Sequence, residues 1–250
     1  MGVGVESIGG TRVLTLGWPE KRNSLAPPDA REITAAISAI AGDADARVLV
    51  LTGQGAFCSG GDLRAFARIS AELSPTEIRS HVYGDIQAMI RALRDLALPT
   101  VAAVDGPAVG LGMDLALACD MRFIGPDGWL RQGWATAGLI SATAGSWFIE
   151  HASPGTLWSL LATQPRLDAA ACVALRLGDE GSPSGLEAAK ARAEALASIP
   201  PDTLAAYVDL SRAQRWPSDT YLERCADYQA QFIGSERFRS LTAELLQEKP

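Results

Sequence analysis

The sequence predicts an α/β protein in which parallel strands alternate with helices, followed by a helical C-terminal third. Residues 48–52 and 101–104 are continuous apolar runs with the length and composition of buried strands. A glycine-bearing turn and then a helical pattern follow each run. Beyond about residue 154 the strand signals end and only helical spacing remains. This order of elements is typical of a parallel sheet packed against helices.

The individual elements can be placed in chain order. Residues 3–7 and 12–16 flank a glycine pair and predict a β-hairpin. A helix is predicted from about Pro27, because proline suits a helix start and isoleucines recur behind it at spacings of four and three. The later patterns predict a loop at residues 178–185 and helices at 76–96, 112–119, 157–161, 168–177, 186–197 and 222–246.

Composition narrows the functional class. The 250 residues carry a net charge of -7, which argues against a general nucleic-acid or anionic-membrane surface but allows a local basic patch for a phosphorylated ligand. The N-terminus has a strand pattern rather than that of a signal peptide, and no apolar run reaches the roughly 20 residues of a membrane span. We therefore expect a cytoplasmic protein.

Cysteine and histidine usage argues against several kinds of chemistry. The four cysteines lie far apart without a CxxC pair, which favours reduced thiols. Two histidines, His81 and His151, are too few for a histidine-rich metal site and make a Ser-His-Asp triad improbable. No dinucleotide fingerprint is present. We therefore expect neither a metal nor a redox cofactor.

The two glycine-bearing turns carry the strongest functional signal. They read AFCSGGDL at residues 56–63 and GPAVGLGMD at residues 106–114. Glycine lets a backbone expose its N–H groups with no side chain in the way. Two such turns, brought together, would aim two donors at one oxygen. That arrangement is an oxyanion hole, which stabilises negative charge developing on a carbonyl.

At these residues the sequence resembles the crotonase, or enoyl-CoA hydratase/isomerase, superfamily. The matching blocks are WPEKRNSL at residues 18–25, residues 48–63, and PTVAAVDGPAVGLGMDLALACDMR at residues 99–122. Shorter matches fall at residues 138–140, 167–170 and 248–250. The blocks keep their order and spacing nearly from end to end. Either glycine segment alone would be a weak signal.

The resemblance implies a fold, an assembly and a ligand. The fold is a spiral of ββα units over residues 1–190, with a helical C-terminal region at 191–250 that packs in trimers, often paired into hexamers. The ligand is an acyl-CoA thioester whose carbonyl lies in the oxyanion hole, with coenzyme A present only as part of the substrate. The family motif assigns the two donor N–H groups to Gly61 and Leu111.

The resemblance also implies contacts to coenzyme A. Positions that hold the adenine and pantetheine in the family correspond to two short stretches of this chain, and a C-terminal basic residue can approach the phosphates. In this sequence they are Arg22, Ser24, Leu25, Gly60, Asp62, Leu63 and Lys249.

The catalytic carboxylates are where this chain departs from the family. Family hydratases use two glutamates, and the first position holds Asp114, about 1.5 Å shorter in reach. Aspartate also occurs there in dienoyl-CoA isomerase relatives. The second position holds Trp134, which cannot exchange protons, and Glu150 lies too far along the chain to replace it. Asp114 is thus the single acid/base candidate.

A tryptophan at the position of Trp134 also occurs in the chlorobenzoyl-CoA dehalogenase branch of the family. The nucleophilic aspartate of that branch would fall at Ala142 and its histidine near Gln87, so dehalogenation is improbable. Trp134 is instead a wall for a flat acyl group or a packed core residue. His81 and Tyr83 lie where the family often covers the acyl pocket, and the sequence assigns them no role.

The sequence leaves three functions open. The leading one is an enoyl-CoA hydratase-like enzyme in which Asp114 handles water and proton in turn. Double-bond isomerisation is a close alternative, since it needs only one base. The third is a non-catalytic acyl-CoA-binding protein, which the missing glutamate favours and the retained Asp114 opposes.

Overall fold

The chain is described by a computed structural model that covers residues 2–247. Strands β1 (Val3–Ile8) and β2 (Thr11–Leu16) form the predicted antiparallel hairpin. The two apolar runs become neighbouring parallel strands, as predicted. The remaining strands are β3 (Val48–Gly53), β4 (Thr100–Val104), β5 (Pro107–Val109), β6 (Met121–Ile124), β7 (Trp129–Arg131) and β8 (Asp179–Glu180).

Helices make up most of the rest. They are α1 (Pro27–Ala41), α2 (Leu63–Glu72), α3 (Pro75–Glu77), α4 (Tyr83–Asp95), α5 (Leu111–Ala118), α6 (Gly145–Ala152), α7 (Thr156–Thr163), α8 (Ala169–Ala174), α9 (Gly185–Ala197), α10 (Pro201–Arg215), α11 (Asp219–Ile233) and α12 (Glu236–Gln247). A π-helical turn, Ile78–Val82, joins α3 to α4. The 3-10 turns Pro19–Lys21 and Ala135–Ala137 lie beside the glycine segments and Trp134, respectively.

The main sheet has six strands in the order β1-β2-β3-β4-β6-β8, and every pairing after β1-β2 is parallel. One face of this sheet packs against α9 through Val13, Val48 and Val50. Its other face belongs to the larger core. Strands buried on both faces are uniformly apolar, which explains the unbroken runs in the sequence. Strands β5 and β7 form a separate parallel pair beside the main sheet.

Two sequence predictions need correction, and one helix was missed. The prediction that strands end before residue 154 is wrong at β8, which lies within the predicted loop at 178–185. Its two acidic residues carry no apolar pattern, so only tertiary pairing with β6 reveals it. The predicted helix at 222–246 is two helices, separated at Gly234. Helix α10 was not predicted, because its sequence has no clear apolar stripe.

The last helices fold back onto the α/β body. Helix α12 packs against α2, and α11 packs against α4 and the π-helical turn. Within residues 2–247, no helix is both long enough and apolar enough to cross a membrane.

A buried ion pair fixes α10 to the sheet. Arg212 lies 2.5 Å from the Asp120 carboxylate and also donates to the carbonyl groups of Arg94, Leu96 and Leu98. Burial opposes ionisation of Asp120, but the hydrogen bond and charge of Arg212 outweigh it and hold the carboxyl pKa below its ordinary value. Arg215 also pairs with Asp120, at 3.1 Å, so loss of Arg212 would leave the buried carboxylate with one arginine in place of two.

Replacing Arg212 with methionine is therefore expected to lower the free energy of unfolding by about 3 kcal/mol, because Asp120 keeps its charge but loses its main partner. Denaturant titration followed by circular dichroism measures the change. Arg224→Met is the matched control, since that arginine is exposed on α11. Equal stability of the two variants would contradict the anchoring role.

Candidate active site

The two glycine segments pair directly. Cys58 N–H donates to the Pro107 carbonyl at 3.0 Å, and Val109 N–H donates to the Cys58 carbonyl at 3.0 Å. These bonds form a parallel bridge between Cys58 and Ala108. The turns that follow β3 and β4 are thus side by side, as an oxyanion hole requires.

The N–H of Gly61 points away from Leu25, its partner in a parallel bridge. On the opposite edge of the first segment, Leu25 N–H donates to the Gly60 carbonyl at 2.8 Å and Asp62 N–H donates to the Leu25 carbonyl at 2.9 Å. In a parallel bridge the central residue turns its own N–H away from that partner. Within residues 2–247, no acceptor takes a hydrogen bond from the Gly61 amide.

The N–H of Leu111 lies beside Gly60, the residue before Gly61. Leu111 is the first residue of α5, so its amide has no intrahelical acceptor, and none is present elsewhere in the described part of the chain. A Cβ added at Gly60 would lie 3.9 Å from the Leu111 nitrogen and only 2.8 Å from the Val109 oxygen. Gly60 also has a φ of +109°, so glycine is required there both for its conformation and for the close approach.

A cavity of about 660 Å³ opens beside these amides. Of the residues predicted to bind the ligand, those that line it are Arg22, Ser24, Gly60, Gly61, Asp62, Leu63 and Trp134. Leu25, Leu111 and Asp114 do not line it, and Lys249 lies outside the described residues. Side chains from α12, Leu245 and Leu246, complete the wall.

Asn23 holds the loop at residues 18–25 against the first glycine segment. Its buried side chain accepts from Trp18 N–H at 2.8 Å and donates to the Ala56 carbonyl at 2.7 Å. Arg22 and Asn23 both have positive φ, which this pair of bonds stabilises. The loop can therefore present Arg22 and Ser24 to the cavity.

The remaining predicted contacts serve the backbone. The Leu25 side chain is fully buried, and its main chain binds the first glycine segment. Asp62 caps α2 by accepting from the amides of Arg64 and Ala65 at 3.0 and 3.1 Å.

Asp114 is a buried carboxylate held by three donors. Its Oδ2 accepts from Trp134 Nε1 at 2.9 Å, Ser141 Oγ at 2.7 Å and Thr143 Oγ1 at 2.6 Å. Burial raises the pKa of Asp114 to about 6, although the hydrogen bonds from Thr143, Ser141 and Trp134 pull it down. Within residues 2–247 no donor binds Oδ1, so this oxygen keeps its acceptor capacity.

Trp134 separates Asp114 from the cavity. The indole is 7% exposed and lines the cavity, whereas Asp114 behind it does not. A Cβ added at Gly110 would lie 3.6 Å from the ring, so the ring packs against that backbone. Trp134 thus lines the cavity and also belongs to the buried core, and the N–H of the indole is used by the carboxylate rather than offered to a ligand.

Other residues singled out in the sequence have simpler surroundings. His81 is exposed, and Tyr83 is buried at the start of α4. Gln87 donates to the Ala142 and Leu222 carbonyl groups at 2.8 Å each, a structural role. Cys58 is buried, and burial raises the pKa of its thiol to about 12, which makes it a packed and unreactive group.

Sequence reasoning did not single out the partners of Asp114. Ser141 and Thr143 follow no periodic pattern, and only the fold brings them to the carboxylate. Arg131 was also missed. It lies three positions before Trp134 at the end of the short strand β7, and the alternation of buried and partly buried residues along that strand is the signal that could have found it.

The sheet, the helical C-terminal part and the paired glycine turns define an α/β protein of the crotonase fold. A family model described as enoyl-CoA hydratase/isomerase matches residues 7–156, and the chain belongs to that family. An enoyl-CoA hydratase/isomerase structure from Mycobacterium paratuberculosis superposes with a TM-score of 0.88 over 97% of both chains. At 24% identity this likeness shows the fold alone.

Curated relatives agree with the family. A probable enoyl-CoA hydratase of Mycobacterium leprae is 30% identical over 207 residues, which cover 80% of this chain and 78% of the relative. Another from Mycobacterium bovis is 36% identical over 138 residues, or 55% of this chain. That match spans 52%, about half, of the length of the Mycobacterium bovis protein.

Gly145→Ala tests the packing around the carboxylate. A Cβ at this first residue of α6 would lie 1.7 Å from Asp114 Oδ1, so we expect the unfolding free energy to fall by about 2 kcal/mol. Gly84→Ala is the control, because nothing lies within 4 Å of that Cβ in α4 and the better helix former should stabilise by up to about 1 kcal/mol. Denaturant midpoints compare the two, and a neutral Gly145→Ala would show that Asp114 is loosely held.

Proposed function

We propose that this chain acts on an enoyl-CoA thioester through an enolate whose oxygen is held by the N–H groups of Gly61 and Leu111. One observation carries the proposal: two amides on paired turns lie beside a cavity, and neither has an acceptor within residues 2–247. Such donors stabilise charge as it develops on the thioester oxygen. The N-terminus of α5 adds a favourable dipole at Leu111.

In this proposal Asp114 is the single acid/base of a hydratase-like reaction. A pKa of about 6 keeps both protonation states accessible near neutral pH, which suits a group that takes up and returns a proton. Oδ1 is the oxygen left for that exchange. The carboxylate lies behind Trp134, so the reaction requires the indole to shift when the acyl group enters. Neither the stabilisation of the enolate nor the proton exchange at Asp114 uses a metal or a redox cofactor.

Two alternatives keep specific support. A single carboxylate is chemically sufficient for double-bond isomerisation, whereas hydration is supported by the names of the relatives. A non-catalytic acyl-CoA binder is supported by the cover that Trp134 places over Asp114.

Ligand contacts and assembly belong to the same proposal. Lys21, Arg22 and Arg64 line the cavity of a chain whose net charge is -7, which supports binding of an anionic cofactor portion such as coenzyme A. Lys249 is proposed to reach the phosphates. Exposed Leu210 on α10, together with exposed Trp158 on α7, supports packing of the helical part of the chain in a homotrimer or a dimer of trimers.

Asp114→Asn is expected to abolish turnover while leaving acyl-CoA binding intact. Crotonyl-CoA, a 3-enoyl-CoA and an aromatic enoyl-CoA are incubated with each protein, and the products separate hydration from isomerisation. Because the base must be ionised, the wild-type rate should rise with pH through about 6 and then level. Turnover that survives in Asp114→Asn would refute the acid/base role, and tight binding without any wild-type turnover would establish the binder.

Leu111→Pro tests the oxyanion donor separately. Proline is well tolerated at the first position of a helix, so the change removes the N–H with little cost to α5. We expect kcat/KM to fall roughly 100-fold to 1,000-fold, as for other lost oxyanion donors. Leu111→Ala is the matched control, because it loses more of the buried side chain but keeps the amide. Similar activity in both variants would mean that this N–H does not bind the thioester oxygen.

A further inference from the structure

Arg131 is a cavity residue whose guanidinium lacks a partner. It lies on β7 and lines the cavity, yet within residues 2–247 its side chain makes no hydrogen bond and no ion pair. Its Nε is buried without an acceptor. By contrast, the neighbouring Lys21 is paired with Asp29 at 2.7 Å. A buried donor left unsatisfied costs about 1–3 kcal/mol, so a ligand whose acceptor draws the guanidinium into the cavity and pairs with Nε would relieve that cost.

The backbone places Arg131 next to the oxyanion segment. In the β5–β7 pair Arg131 lies opposite Val109, and both residues line the cavity. The Arg131 carbonyl accepts from Gly110 N–H at 3.0 Å, one residue before the Leu111 donor. An arginine side chain extends about 6–7 Å from its Cα. Because the Arg131 backbone is bonded to the residue just before the Leu111 donor, we take a group bound by this guanidinium to lie nearer to the thioester than the coenzyme A phosphates do.

The distance from the thioester distinguishes two groups that could supply the negative charge bound by Arg131. The extended pantetheine arm places the coenzyme A phosphates roughly 15 Å from the thioester, counted over its chain of single bonds. A carboxylate two to four carbons along the acyl chain is much nearer. The acidic side chains of the cavity lining do not neutralise Arg131: Asp62 caps α2, and Glu20 forms no ion pair with it.

We propose that Arg131 binds a carboxylate carried by the acyl group, so that the ligands of this cavity are coenzyme A thioesters of dicarboxylic acids. This inference rests on the proposed function, since it takes the thioester to lie between Gly61 and Leu111. The planar guanidinium matches a carboxylate through two parallel hydrogen bonds. A neutral acyl group would leave those N–H groups desolvated and unpaired, which disfavours it.

Binding without turnover tests the inference. Saturated thioesters are titrated calorimetrically into the whole protein: succinyl-CoA, glutaryl-CoA and adipoyl-CoA against the neutral pentanoyl-CoA. The wild type should bind the best diacid at least about 10-fold more tightly than pentanoyl-CoA. Arg131→Met should remove that preference and leave pentanoyl-CoA within about threefold, while Arg131→Lys should restore part of it.

Arg68→Met is the matched control, because Arg68 is exposed on α2 and lies outside this cavity. Its preference for the diacid should equal that of the wild type. Circular dichroism confirms that each variant is folded. Repeating the titration with glutaryl-pantetheine, which has no phosphate, shows whether the Arg131 effect persists as a carboxylate contact requires.

The outcomes separate the inference from the proposed function. Wild-type protein that binds pentanoyl-CoA as tightly as every diacid overturns the inference alone. In another outcome, Arg131→Met weakens binding of diacid and neutral thioesters equally, with no such loss for the pantetheine thioesters. That result assigns Arg131 to a phosphate of coenzyme A and also overturns the inference. If none of the thioesters binds the wild type, the proposed function and the inference fall together.

Discussion

The site depends on the lateral pairing of the two glycine turns. Strands β3 and β4 are parallel neighbours, so the turns that follow them emerge at the same edge of the sheet. The bridge between Cys58 and Ala108 extends that pairing into the turns. Gly60 then approaches the Val109 oxygen more closely than any side chain would allow. A Cβ there would force apart the two turns that carry the amides of Gly61 and Leu111.

The environment of Asp114 explains how the chain accommodates a tryptophan where family hydratases have a glutamate. Trp134 supplies an N–H to the carboxylate, and two hydroxyl groups complete its ligation. A buried carboxylate without such donors would be far more costly. The same bonds restrain the indole against Gly110. Asp114 and the cavity wall are therefore coupled, and a ligand that moves Trp134 must also perturb the carboxylate.

Sequence reasoning recovered the features that local pattern determines. The apolar runs identified β3 and β4, and the glycine turns identified the amides beside the cavity. It missed β8, whose two residues pair only because of the fold, and α10, where charge and tertiary packing rather than a clear apolar stripe define the helix. The hydroxyl groups around Asp114 and the isolated Arg131 were equally invisible, because their roles depend on neighbours distant in sequence.

The wall of the cavity combines residues that are synthesised early with residues that are synthesised late. Residues near Arg22 lie at one side, and Leu245 and Leu246 of α12 lie at the other. A ribosome adds about 5–20 residues each second, so the body has many seconds to form its sheet before α12 emerges. Until α12 packs against α2, Leu245 and Leu246 are missing from the wall of the cavity. The complete cavity is therefore a late product of folding.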